Sequence, residues 1–466
     1  MAELSFREIV EAVGGALVAG SPAGTVRGYS IDSRKVRPGD LFFAIVGPNL
    51  DGHAFLPDAL QAGAAGCVVS RTSPEWEGRP GAAFIRAADT TRALQDLAAY
   101  VRGLWPIRVI GVTGTTGKTT TKELLFSLLE PDFGTIRTEG NLNNQYGLPL
   151  SLLFREKAHT LAVLEMGMST PGEITRLAEI AHPCAAVYTV ITPVHMENFS
   201  SLAGVAAAKK ELVDSLPPDG VVFVNADDPW VCRITADFPG TKVRYGLSTG
   251  ADVFPENIRE GGLDGTSCDL STFRGPVSLR VPLPGLHNLK NALAALAAAL
   301  YFGVRLEAAA ARIESFRAVA MRGRITRFAE GFTLYDDSYN SNPRAFEEAL
   351  STLAKTGAEG KKIVVAGDML ELGQFSKAEH FEAGRRVAGA GIDILVAVGP
   401  EAAAIAEGAR EGGMKPESVF HFQTADDAAP EVASRLGPGD LILVKGSRGI
   451  GTDRVVRALF DRCHPE

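Results

Sequence analysis

The run Ile107–Thr121, IRVIGVTGTTGKTTT, constrains this chain more than any other stretch. An apolar, β-branched segment passes through a Gly/Thr-rich turn directly into a helix-forming segment. A buried strand that ends in such a turn and a helix N-terminus is a layout that cradles phosphate. The turn's N–H groups point at the oxygens, and the helix dipole favours their charge. On this reading Gly114, Thr115, Thr116, Gly117, Lys118, Thr119 and Thr120 surround a nucleotide phosphate chain. Lys118 meets the β- and γ-phosphates and Thr119 offers its hydroxyl to Mg²⁺. Gly114 and Gly117 let the backbone come close to the nucleotide. The general phosphate-loop pattern wants glycine where Val112 stands, and Gly111 is one residue too early for it.

The same strand-then-helix alternation recurs along the chain. Examples are Leu161–Leu164 before Glu173–Ala181, Ala185–Val190 before Ala203–Leu216, and Ile363–Ala366 before Ala378–Ala390. Short β-branched runs followed by amphipathic helices indicate parallel sheets in an α/β fold. At 466 residues the chain exceeds what one core usually holds, and three domains are expected. A seam is expected near Gly103–Pro106 and another near Ser315–Arg324. They divide the chain into a small α/β domain over 1–105, a central domain with a phosphate-loop-type parallel sheet over 106–318, and a Rossmann-like α/β domain over 319–466. Residues 251–281 form a strand-rich excursion within the central domain, punctuated by Gly and Pro.

Charge and cysteine usage narrow the function classes. A net charge of −8 offers no basic excess for a nucleic-acid backbone. The five scattered cysteines form neither a CxxC pair nor a disulfide framework, so they are expected to be reduced. Met1–Val10 shows no signal-peptide pattern. No uncharged apolar run approaches the roughly 18 residues of a membrane span. Asn291–Phe302 is the longest candidate; it is short and Ala-rich, as a buried helix would be. A cytoplasmic monomer is the expectation.

Several further segments accompany GTTGKTT in order: TEGNLNNQYGLP (138–149), LEMGMSTPGEI (164–174), GLHNLKNALAA (285–295), DDSYNSNP (336–343), AGDMLELG (366–373) and LVKGSR (443–448). Together they resemble the Mur ligase superfamily, which also holds folylpolyglutamate synthetase. DDSYNSNP and GDMLELG point to the branch that adds D-Ala-D-Ala. The resemblance implies an ATP-dependent, ADP-forming ligase of peptidoglycan synthesis. Such an enzyme joins UDP-MurNAc-tripeptide to D-Ala-D-Ala through an acyl phosphate, using two Mg²⁺ ions. A sibling ligase that adds a single amino acid, and a non-catalytic nucleotide switch, are the alternatives.

Residue roles follow from the same resemblance. Glu165 ends an apolar strand, where a carboxylate faces the ligand crevice of an open α/β sheet. With Thr119 and His195 it is expected to hold metal. Lys209 as an ammonium would repel Mg²⁺; the resemblance implies that CO₂ carbamylates it into a further metal ligand, which requires a neutral amine. Lys210 is a solvated neighbour. Asn288, Asp337 and Asn340 are expected at the nucleotide, and Arg322 at the γ-phosphate. Lys118, Lys209, His195 and Arg322 are the catalytic set. Ser30, Asp32, Ser33 and Arg34 resemble uridine-nucleotide contacts, with Gly52 and His53 nearby. Asn141, Asn143 and Asn144 resemble muramoyl-peptide contacts. Asp368, Lys445, Ser447 and Arg448 cluster at C-terminal strand ends and are expected to contact substrate, with Lys445 and Arg448 holding acceptor or tripeptide carboxylates.

Overall fold

The computed structural model describes residues 3–74, 81–193 and 197–465. Three large sheets follow one another along the chain, and a two-stranded ribbon, Leu4–Ser5 with Thr25–Val26, flanks the first. The first large sheet is five-stranded and runs, edge to edge, Ala16–Ala19, Ala83–Arg86, Gly66–Val69, Asp40–Phe43, Gly28–Ser30. The second has nine strands: Gly275–Val281, Thr266–Thr272, Val253–Glu260, Thr241–Tyr245, Val221–Asn225, Ala185–Tyr188, Arg108–Thr113, Leu161–Glu165, Thr135–Arg137. The third has six: Arg324–Arg327, Thr333–Asp337, Leu441–Lys445, Lys362–Gly367, Ile394–Val398, Val419–Phe422.

The central sheet is parallel from Thr135 to its junction with Val253–Glu260. The excursion after residue 251 then adds antiparallel strands at one edge. Strand Arg108–Thr113 shows why the parallel part reads as unbroken apolar runs. Val109 packs into one core with the N-terminal region, while Ile110 and Val112 pack into another beneath helix Lys118–Leu129. Both faces are covered, so no solvent-facing alternation is possible. Position 112 is thus a core position, paired with Glu165 on one side and Val187 on the other, and a valine is what it needs. Helix Leu286–Tyr301 is buried along almost its whole length from Asn288 to Leu300. Its alanines combine high helix propensity with a slim profile against helix Lys118–Leu129.

The first and second sheets share one interior. One continuous hydrophobic cluster contains Phe6, Leu41, Ile85 and Leu97 together with Val109, Leu152, Leu164 and Tyr188. Polar ties reinforce this seam. Arg176 Nε donates to Gln95 Oε1 at 2.8 Å, and Arg102 Nε donates to the Ala181 carbonyl at 3.0 Å. Arg155 is fully buried and donates to the carbonyls of Arg102 and Trp105, the latter at 3.0 Å. The third sheet is joined more lightly. Leu263, at the tip of the excursion, enters its core, and Arg327–Asp264 (2.7 Å) and Lys355–Glu260 (3.2 Å) bridge the rim.

Arg155→Met would remove the donors that hold Arg102 and Trp105 without leaving a buried charge. We expect a loss of about 2–4 kcal/mol of stability in urea unfolding, the scale of charged hydrogen bonds lost from a buried site. A change below about 0.5 kcal/mol, typical of a surface substitution, would show that the guanidinium does not hold the seam.

Candidate functional site

Strand Arg108–Thr113 is flanked by Leu161–Glu165 and Ala185–Tyr188, both parallel to it. The chain fills one side first, through Thr135–Arg137 and Leu161–Glu165, then crosses to the other. This is a topological switch point, where the loops after the strands part and leave a crevice. A cleft of about 810 Å³ opens there, roofed by residues of the third sheet.

The phosphate loop forms its floor. Gly114 and Gly117 have φ of 147° and 80°, in the region that favours glycine. A Cβ on Gly114 would lie 1.9 Å from Thr189 Oγ1, and one on Gly117 would lie 2.3 Å from Asn291 Oδ1. Thr115 N donates to the Val190 carbonyl (2.7 Å) and its hydroxyl to that of Thr192 (3.1 Å), which pins the loop to the neighbouring strand end. Helix Lys118–Leu129 starts at Gly117 with no side-chain cap, leaving its first amides for a ligand. Lys118 Nζ donates to Thr115 O at 2.9 Å. Burial lowers the Lys118 pKa, Glu165 opposes that, and Arg322 adds to it. Thr116, Thr119 and Thr120 also line the cleft.

Glu165 closes its strand and is 1% exposed. Its Oε1 accepts from Asn143 Nδ2 at 2.8 Å, while buried Oε2 has no hydrogen-bond partner among the described residues. Lys209 faces the same space from helix Leu202–Asp214 and is 2% exposed. Burial holds its pKa well below the ordinary lysine value, and the like charge of Lys118 pushes the same way. Two features place it. Gly111 allows the helix to sit close, since a Cβ there would come 3.0 Å from Leu212. Tyr188 Oη donates to the Lys209 carbonyl (2.7 Å) and accepts from Val213 N (3.0 Å), which fixes that helical turn. Lys210 points elsewhere and pairs with Asp214. His195 lies outside the described residues.

The roof brings further residues together. Arg322 Nη2 stands 3.5 Å from Thr119 Oγ1, its guanidinium 3.9 Å over the Tyr339 ring. Asp337 pairs with Lys445, which also donates to the Asn340 carbonyl at 3.1 Å. Asn288 and Asn291 are linked directly (3.1 Å), and Thr121 donates to Asn291 (3.3 Å). Asn141, Asn143, Asn144, Ser447 and Arg448 line the cleft as well. Asp336 does not; its carboxylate accepts from Ser338 and shapes the loop.

Two groups lie away from this cleft. Asp368 is 1% exposed and lies outside the cleft lining. Its carboxylate accepts from the amides of Ala402 (2.6 Å) and Glu401 (3.3 Å), so it holds the turn after Ile394–Val398. Ser30, Asp32, Ser33 and Arg34 also lie outside the cleft, in a turn of the N-terminal sheet. Asp32 caps Ser33–Lys35 there and takes two hydrogen bonds from the Arg34 guanidinium, at 2.9 and 2.8 Å. His53 is engaged by Asp51 (2.6 Å) and by the Ser70 amide (3.0 Å). Sequence reasoning overlooked Asn225, Asp227 and Lys290, which line the cleft beyond strand Val221–Asn225; Lys290 pairs with Asp227 at 3.1 Å. The signal was present, because NADD follows an apolar strand just as Glu165 ends one.

Known proteins share this arrangement. Family models match in three stretches: "Mur ligase family, catalytic domain" over 25–102, "Mur ligase middle domain" over 112–299, and "Mur ligase, glutamate ligase domain" over 321–448. The chain belongs to the Mur ligase family. Among its relatives, the UDP-N-acetylmuramoyl-tripeptide–D-alanyl-D-alanine ligase of Bacillus subtilis is 35% identical over 463 residues, 99% of each chain. MurF from Acinetobacter baumannii superposes with a TM-score of 0.88 at 31% identity, covering 99% of this chain and 100% of that one. MurF from Thermotoga maritima, solved in complex with ADP, gives 0.78 at 28% identity, covering 94% and 97%. Full-length similarity at this level places the chain in the MurF branch of the family.

Gly117→Ala tests the phosphate cradle. The added methyl meets Asn291 in a backbone conformation that costs an L-residue about 1–3 kcal/mol, so ADP binding by calorimetry should weaken about ten- to a hundredfold. Affinity within about threefold of wild type, less than 1 kcal/mol, would mean the loop does not hold the nucleotide as described.

Proposed function

We propose that this Mur ligase joins D-Ala-D-Ala to UDP-MurNAc-tripeptide, releasing ADP and phosphate, as a step of peptidoglycan precursor synthesis. The observation that carries the reading is the convergence of the phosphate loop, Glu165 and buried Lys209 at one switch point, with Arg322 opposite. ATP is the phosphoryl donor. The tripeptide carboxylate attacks its γ-phosphorus, the bond to ADP breaks, and an acyl phosphate results. The free amine of the dipeptide then attacks the acyl carbon, phosphate leaves, and the amine gives up a proton. Lys118 and Arg322 neutralise charge that develops on the transferring group. An acyl phosphate is lost to water, which is the chemical reason for a cleft that a third domain can cover.

The donor set fits Mg²⁺. Glu165 keeps one carboxylate oxygen without a hydrogen-bond partner among the described residues, and Thr119 supplies a hydroxyl. Two Mg²⁺ ions, when bound, would neutralise the triphosphate, with Thr119, Glu165, His195 and a carbamylated Lys209 as ligands. A buried lysine whose amine is readily neutral is suited to take up CO₂, and the carbamate turns a repelling cation into an oxygen donor. Asn288, Asp337 and Asn340 face the nucleotide. Asn141, Asn143 and Asn144 face the peptide acid, and Lys445, Ser447 and Arg448 the dipeptide carboxylate. Ser30, Asp32, Ser33 and Arg34 meet the uridine nucleotide. Domains over 1–105, 106–318 and 319–466 each bring one substrate. One chain supplies every group named, so a monomer suffices. No helix among the described residues is long and apolar enough to cross a membrane, and use of ATP suits the cytoplasm.

Phosphate release from ATP and Mg²⁺ should require both UDP-MurNAc-tripeptide and D-Ala-D-Ala and yield the pentapeptide by mass. The L-Lys and meso-diaminopimelate forms, tried in turn, identify the third residue. Release supported by single amino acids instead would move the chain to a sibling activity. Lys209→Ala should lower kcat by about a hundredfold or more while leaving ADP affinity nearly unchanged, and short carboxylic acids should restore part of the rate. Full activity in that variant would rule out a metal-binding role for Lys209.

A further inference from the structure

Lys122 stands one helical turn beyond Lys118 and is completely buried beneath the cleft. A lysine without exposure requires matched acceptors. Its Nζ donates to the carbonyls of Thr138 (2.7 Å) and Gly140 (2.8 Å) and lies 2.8 Å from Glu123 Oε1. Glu123 is held in turn by Arg137 Nε at 2.9 Å. The ammonium also lies 4.0 Å from Glu165 Oε2, the oxygen left without a hydrogen bond.

The two carbonyls begin the loop that carries Asn141, Asn143 and Asn144. The same loop closes on Glu165 from its other end. Thr138 Oγ1 accepts from Glu165 N (3.0 Å), Asn143 Nδ2 donates to Glu165 Oε1 (2.8 Å), and Gly167 N donates to Asn143 O (2.9 Å). Lys122, with its neighbour Glu123, joins this circuit to the nucleotide helix, and Lys122 is the residue that donates to the loop's carbonyls.

We propose that Lys122 is a positioning residue that fastens the 138–144 loop to the nucleotide helix, so that the acid to be phosphorylated and its phosphoryl donor are held by one rigid unit. The inference rests on the functional reading above, in which this loop receives the peptide. Placement within a fraction of an ångström is what makes a bound pair reactive, and a loosened loop would lose it. The role is distinct from that of Lys118, which faces the cleft; Lys122 does not line it.

Lys122→Met keeps the length and helix propensity of the side chain but leaves two carbonyls and Glu123 without their donor. Hydrogen exchange over residues 138–144 of the ligand-free, full-length chain should accelerate about tenfold or more, the scale of a lost charge-assisted hydrogen bond. KM for UDP-MurNAc-tripeptide should rise by a similar factor, while ADP affinity measured without Mg²⁺ stays within about twofold. Lys122→Arg, which keeps the charge and its donors, should recover part of the slow exchange. Unchanged exchange over residues 138–144 overturns the proposal, whatever the KM. A loss of ADP affinity as large as the loss for the tripeptide also overturns it, by showing a general packing role. If Lys122→Met does not fold, Lys122→Gln supports the same comparison. The exchange measurement needs no substrate, so it decides the loop's attachment even if the wild-type chain fails to turn over the tripeptide, which would sink the functional reading instead.

Discussion

Two-sided pairing of strand Arg108–Thr113 is the constraint on which the rest of the molecule depends. Its hydrogen bonds to Leu161–Glu165 and Ala185–Tyr188 bring three loops to one edge of the sheet. A carboxylate, a phosphate cradle and a helix bearing a buried lysine therefore meet without any long-range coincidence of side chains. The packing underneath serves the same end. Val112 fills the core beneath helix Lys118–Leu129, Gly111 admits helix Leu202–Asp214, and the slim Leu286–Tyr301 helix backs the phosphate loop closely enough for Asn291 to touch it.

Three lysines sit at this edge, and their surroundings assign them different work. Lys122 has carbonyls and a carboxylate within hydrogen-bond reach, so its charge is matched and it serves as a fastening. Lys118 has one carbonyl and the field of Glu165, so it keeps capacity for an anionic ligand. Lys209 is buried with another cation acting on it, and its environment favours the neutral amine. A site with this excess of positive groups has an unsatisfied demand for anions, which a triphosphate and a carbamate would meet. Arg322, stacked on Tyr339 across the cleft, adds to that demand from the other domain.

Much of this was legible in the chain because it is encoded locally. The phosphate loop, the strand-end Glu165 and the Ala-rich buried helix are short-range patterns, and each folds as its pattern suggests. The strand-rich excursion was also visible, though not that it extends the central sheet and lends Leu263 to another core. Longer-range facts escaped. Asp368 belongs to a motif with its neighbours, yet two backbone amides dozens of residues away claim its carboxylate. Lys122 carries no local signal that sets it apart on its helix; the return of the 138–144 loop supplies the carbonyls it is buried against. Asn225 and Asp227 followed the same rule as Glu165 and were passed over. The seam near residue 105 was readable as a change of element but not as a place where hydrophobic packing continues across.

The central claim is that one cleft lets a carboxylate take the γ-phosphoryl group before an amine displaces it. Synthesis with UDP-MurNAc-tripeptide labelled with ¹⁸O in the reacting carboxylate, followed by mass analysis of the released phosphate, tests it most directly. An acyl phosphate route predicts that each phosphate carries one labelled oxygen from the acid. Unlabelled phosphate formed together with pentapeptide would contradict the account, since the bond would then have been made without phosphorylating the acid.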